Sequence, residues 1–190
     1  MPLLHQISVF ILGLALGVQI FSRPFLVRRR KWFWWGSAVI ICAGALFLVW
    51  TQYRMWAAGE PGKFLLPPYR SIGYFFSYVG HRIFGQWLLS FLAGALGGYA
   101  AYRLNRRYGL RFFEDEEPWL FAMGILLAGY PGFLFYIPLV FLVGVLLTLA
   151  YTILRKGRAP LYWLWLPLAI FAILITNWYV PKEILVKFNL

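Results

Sequence analysis

The sequence predicts an all-α protein: a polytopic transmembrane helical bundle of about six spans, with an interfacial amphipathic helix near 71–82. Three observations carry that expectation. The 190 residues are 62% hydrophobic and only 13% charged, whereas soluble domains run at roughly 45–50% and about 25%, and one small core cannot hide this much apolar surface. The apolar runs approach the roughly 20 residues that cross a hydrocarbon layer of about 30 Å. Basic residues, tryptophans and tyrosines cluster at the ends of those runs, as they do at membrane–water boundaries. No separate soluble domain is expected, and residues 1–190 form one membrane domain.

The first span, 3–22, stops at Arg23 and Pro24. No basic segment leads it and further spans follow, so it reads as a span rather than a signal peptide. The second, 32–53, opens on Trp32, Trp34 and Trp35 beside a basic stretch. An outer loop, 54–82, leads to the third span, 83–102. The apolar stretch 118–154 would be about 55 Å long as one helix, too long for a single crossing. Gly129-Tyr130-Pro131-Gly132 is a turn signal and Pro138 a second break. The stretch therefore divides into spans 118–131 and 133–154, with the turn between Gly129 and Pro138. The last span, 161–180, closes on Trp178 and Tyr179.

Charge placement supports the count. With the N-terminus outside, the inner loops hold Arg23, Arg28–Arg30 and Lys31, then Arg103, Arg106, Arg107 and Arg111, then Arg155, Lys156 and Arg158, two thirds of the 18 basic residues. A single crossing of 118–154 would move the last group outside. The positive-inside rule thus favours six spans in a cytoplasmic (inner) membrane with both termini outside. The net charge of +12 is spread over short loops, which points to membrane lipids as partners and not to nucleic acid. The lone Cys42 forms neither an intrachain disulfide nor a thiolate metal site, and no metal or cofactor is expected. Gly13/Gly17 and Gly94/Gly98 have the spacing that lets helices approach closely, within the bundle or across a homodimer.

Four of the six acids fall in one run, Glu114, Asp115, Glu116 and Glu117, just before Pro118. Acids favour the positive end of a helix dipole and proline suits a first turn, so the run reads as a capped inner loop balanced by nearby arginines, with Asp115 or Glu117 as N-cap. Clustered carboxylates also suit a divalent cation or a headgroup site, or docking of a membrane-protein partner.

The stretch Glu116-Glu117-Pro118-Trp119-Leu120-Phe121-Ala122-Met123-Gly124 resembles the segment of type IV prepilin peptidases where an acid precedes a short Ala/Gly-rich helix. The layout that follows, a long span ending Leu154-Arg155-Lys156 and then a proline-bearing apolar segment, extends the similarity over about 116–175. The resemblance implies a membrane-embedded peptidase using two aspartates at the ends of different spans. This chain has one aspartate, Asp115, so no catalytic residue carries over.

The expected topology puts His5 and His81 on the outer side and the acidic run on the inner side, which separates any acid–histidine pair by the membrane. The outer loop holds the other candidate site. After Pro67-Pro68, residues 71–82 place Ile72, Phe75, Phe76 and Val79 on one helical face, and Tyr74, Ser77, Tyr78 and His81 toward the other. Such a helix can lie in the interface. It also offers a headgroup site in which Arg70 and Arg82 bind phosphate, His81 acts as acid or base, and Tyr69 and Tyr78 position it. Intramembrane ionisable residues and paired broken helices, the marks of a transporter, are missing from the expected spans. The function expected is a non-enzymatic or lipid-interacting subunit or scaffold of the cell envelope. The alternative is an interfacial enzyme acting on a lipid-linked or membrane-borne substrate.

Overall fold

Helix α1 (Leu3–Phe21) passes into helix α2 (Arg23–Ala58) with only Ser22 between them. The computed structural model describes residues 3–109, 112–154 and 160–178. Arg111, Arg155, Lys156, Arg158 and the tail after Trp178 lie outside the described residues. A 3₁₀ turn (Gly62–Leu65) follows α2, then α3 (Ile72–Val79), a π-helical segment (Gly80–Gly85), α4 (Gln86–Arg107), α5 (Glu117–Ala128), α6 (Gly132–Ile153), a 3₁₀ turn (Leu161–Trp163) and α7 (Trp165–Trp178). Among the described residues there are no strands, and five helical stretches are long and apolar enough to cross a membrane. The chain is a multi-pass membrane protein.

Several boundaries differ from those read in the sequence, each for a local reason. The basic stretch at 23–31 is helix, not loop. Proline is tolerated in a first turn, Arg and Lys are good helix formers, and nothing breaks the helix before Gly59. Helix α2 is 36 residues long, about 54 Å. The amphipathic helix forms over Ile72–Val79 but does not stop at 82. It runs through the π segment into α4, giving one helical stretch, Ile72–Arg107. Gly80 holds right-handed helical angles (φ −57°, ψ −46°), so it does not end the helix. Phe75 and Val79 are buried, while Ile72 and Phe76 of the expected apolar face are exposed.

The apolar stretch 118–154 turns at Gly129–Pro131. Gly129 has φ +69°, in the left-handed region that a residue with a Cβ rarely adopts. Pro138 sits inside α6 without ending it. The two resulting helices are unequal, because α5 has only 12 residues, about 18 Å. It nevertheless runs from the Arg23 end of α1, where Glu116 meets Arg23, to the His5 end, where Gly129 lies beside the His5 ring.

This short helix is the centre of the bundle. From Leu120 to Ala128 every residue is buried, and α1, α2, α4, α6 and α7 pack around it. Hydrophobic character all round a helix suits enclosure by protein or by lipid; around α5 it is the other helices that cover it. Gly94 and Gly98 of α4 face α5, whereas Gly13 and Gly17 of α1 have open space beside them. Antiparallel to α1, α2 reaches the Leu4–Ile7 level at Gly44 and continues to Ala58, about 21 Å farther. There Trp56 and Val49 pack with Leu66, Phe75 and Val79 as a second, smaller core.

Candidate functional site

At the opposite end, where α1 gives way to α2, polar groups collect. Gln19, wholly buried, donates through Nε2 to the Tyr162 carbonyl at 2.7 Å. The Arg23 guanidinium lies over the Tyr162 ring at 4.3 Å. It donates to Glu116 at 3.1 Å and also binds Glu114. Glu116 is 5% exposed, and a carboxylate that far from water requires such a partner. Glu116, rather than Asp115 or Glu117, is the N-cap of α5, and it makes no side-chain capping bond. Glu117 instead accepts the Glu114 backbone N–H at 2.9 Å.

Asn105, at the end of α4, holds the approach to this acidic strap. Its Oδ1 accepts the N–H groups of Phe112 and Phe113 at 3.1 and 3.0 Å, and its Nδ2 donates to the Phe113 carbonyl at 2.7 Å. A buried amide whose donor and acceptor are both satisfied in this way ties Phe112 and Phe113 to the end of α4.

Between the first turns of α2 and the strap is an open cleft of about 1040 Å³. Arg23, Arg28, Arg30 and Lys31 line one wall, and Glu114 and Asp115 line the other. Arg23 is committed to Glu114 and Glu116; among the described residues Arg28, Arg30 and Lys31 enter no ion pair. Lys31 lies 5.9 Å from the Trp119 ring. Trp32, which is 71% exposed, stands at the cleft's border. With Glu116 also lining it, the cleft holds four basic side chains against three acidic ones, an excess of one positive charge. Among the described residues no three His, Cys, Asp or Glu side chains gather where they could share a metal ion.

The candidate residues of the outer loop are only partly brought together. Arg70 lies over Tyr74 at 4.8 Å, and Arg82 over Tyr78 at 5.6 Å. Both of those rings pack on Trp56. Tyr69 packs instead on Phe64, and His81 is exposed within the π-helical segment. No hydrogen bond or ion pair links Tyr69, Arg70, Tyr78, His81 and Arg82 to one another.

His5 is at the far end of α1, where its Nδ1 lies 3.3 Å from Asn177 Oδ1. The length of α1, about 28 Å, separates it from the acidic strap. The Arg23 latch, Gln19, Tyr162 and Asn105 were not distinguishable in the sequence as site residues. The available signal was Arg23-Pro24 directly after an apolar run, which reads equally well as an ordinary topological charge. Comparison with known proteins finds no matching family model, no matching curated protein and no matching solved structure.

Proposed function

We propose that this chain is a non-enzymatic, lipid-interacting subunit or scaffold of a cell-envelope membrane, engaging anionic headgroups at the Arg23 end of the bundle. The cleft beside α2 carries this reading, because Arg28, Arg30 and Lys31 face it without an acidic partner among the described residues. Basic side chains next to a span attract anionic headgroups by about 1 kcal/mol each. The positive-inside rule assigns that end to the cytoplasmic face of an inner membrane. The latched acidic strap supplies the second wall and a surface for a membrane-protein partner.

Native mass spectrometry of the full chain tests this, after exchange into micelles containing equal phosphatidylglycerol and phosphatidylcholine. The expected result is preferential retention of phosphatidylglycerol. Replacing Arg28, Arg30 and Lys31 together by Gln should lower that preference by on the order of 10- to 100-fold. Equal retention of the two lipids by the unaltered chain would sink the proposal.

A second reading, an interfacial enzyme on a lipid-linked or membrane-borne substrate, draws on the π-helical segment Gly80–Gly85. It contains His81 and Arg82, and π segments recur at functional sites. A divergent relative of the prepilin peptidases is one form of it. Loss of a measured turnover on His81→Ala, with the fold intact, would favour this reading over the scaffold.

A further inference from the structure

Two faces of the first turns of α2 carry different chemistry. Residues 24, 27, 28 and 31 line the basic cleft. Residues 25, 29, 33, 36 and 40 follow i, i+4 and i, i+3 steps along the neighbouring face, which lines a groove of about 380 Å³ against α1. Ile11, Leu14 and Ala15 form the α1 wall of that groove. Its surface is almost wholly apolar, and Arg29 is its charged residue. Trp32 lines both the cleft and the groove. Gly36 widens the groove, since a Cβ there would meet nothing within 4 Å.

We propose that the groove and the cleft bind a single anionic diacyl phospholipid, one acyl chain lying along α2 in the groove and the headgroup held over Arg28, Arg30 and Lys31 of the cleft together with Arg29 of the groove. This rests on the headgroup reading above and adds the acyl site and the identity of the ligand as a bilayer lipid. Three features favour that occupant. An apolar void between two membrane helices loses dispersion contacts unless a chain fills it. Among the described residues the charge in the groove is an arginine, whose planar donors match a phosphate in two places. Trp32 lies where chain and headgroup meet, the level that indole rings favour. A free phosphate or an acidic peptide would use the cleft alone and leave the groove unfilled.

The test uses the full chain in nanodiscs of phosphatidylcholine containing a small fraction of phosphatidylglycerol with a photoreactive diazirine on one acyl chain. Crosslinks are expected at Ile11, Leu14 and Ala15 and at Phe33, Ser37 and Ile40, several-fold above those on the lipid-facing side of α6. Gly36→Leu should fill the groove and lower these crosslinks at least fivefold. Gly13→Leu, beside open space outside the groove, should leave them unchanged. If Gly36→Leu changes nothing while the Gln replacements at 28, 30 and 31 still abolish phosphatidylglycerol preference, the acyl site is wrong and the headgroup reading stands. If the unaltered chain crosslinks uniformly around the bundle and shows no headgroup preference, both are wrong. A mapped crosslink in the unaltered chain keeps the test decisive if Gly36→Leu fails to fold.

Discussion

Gly98 of α4 lies so close to Ala122 of α5 that a Cβ on the glycine would stand 2.7 Å from the alanine methyl. At Gly94 a Cβ would come within 2.8 Å of the Ala122 carbonyl oxygen, and at Gly97 within 2.8 Å of Ile125 Cδ1. The two backbones therefore approach along more than a helical turn. Close approach by small residues stabilises helix pairs in lipid, where hydrophobic exclusion contributes little.

Replacing Gly98 by Val should destabilise the bundle by about 1–3 kcal/mol through overpacking. Gly13→Ala, on the open face of α1, should stay within about 0.5 kcal/mol of the unaltered chain. Unfolding by a denaturing detergent in mixed micelles compares them. Equal midpoints for the two variants would contradict the α4–α5 packing.

Arg23→Ala should cost about 1–3 kcal/mol by leaving Glu116 buried without a cation, less than a fully buried pair because Arg23 is half exposed. Adding Glu116→Gln to that variant should recover part of the loss, since an uncharged amide is cheaper to bury. The same unfolding assay gives the double-mutant cycle. A coupling near zero would remove the latch from the account.

Asn105→Ala should free the connection between α4 and α5, which loses three hydrogen bonds at once. Limited proteolysis should then cut near Phe112–Phe113 at least several times faster than in the unaltered chain, because segments that open locally are the ones nicked. Unchanged cleavage would show that other contacts hold the strap.

Cysteine substitutions in a Cys42→Ser background test the orientation. Arg30→Cys and Glu114→Cys should label from one side of the membrane and Arg70→Cys from the other. A membrane-impermeant maleimide applied to intact cells or spheroplasts reads this directly. Labelling of positions 30 and 70 from the same side would overturn the topology.

Much of the architecture was legible because lipid imposes simple rules. Apolar runs and the Gly129-Tyr130-Pro131-Gly132 turn correspond to helices and a break in the structure, whereas Trp32, Trp34, Trp35 and the basic stretch before them lie inside α2 and mark no helix end. The length of α2 and the joining of α3 to α4 were less legible. Charge marks 23–31 as an inner loop and periodicity ends the interfacial helix near 82, but charge does not stop a helix, Pro24 sits in a first turn that tolerates it, and Gly80 keeps helical angles. Of the site, the basic residues at 28–31 and the acids at 114–117 stood out as charge runs. That Arg23 reaches 91 positions along the chain to Glu114 has no local signature.

By itself, then, the sequence determined a helical membrane protein with its acids concentrated in one run ahead of an apolar helix. Those properties follow from hydropathy and charge along the chain. Only the tertiary structure decided that α5 is the enclosed centre, that Arg23 latches the acidic strap, and that α2 divides a basic cleft from an apolar groove. Periodicity reports that a helix is apolar all round, but not which neighbours surround it. That choice depends on where Gly94, Gly97 and Gly98 allow two backbones to meet, which is settled by packing between distant segments.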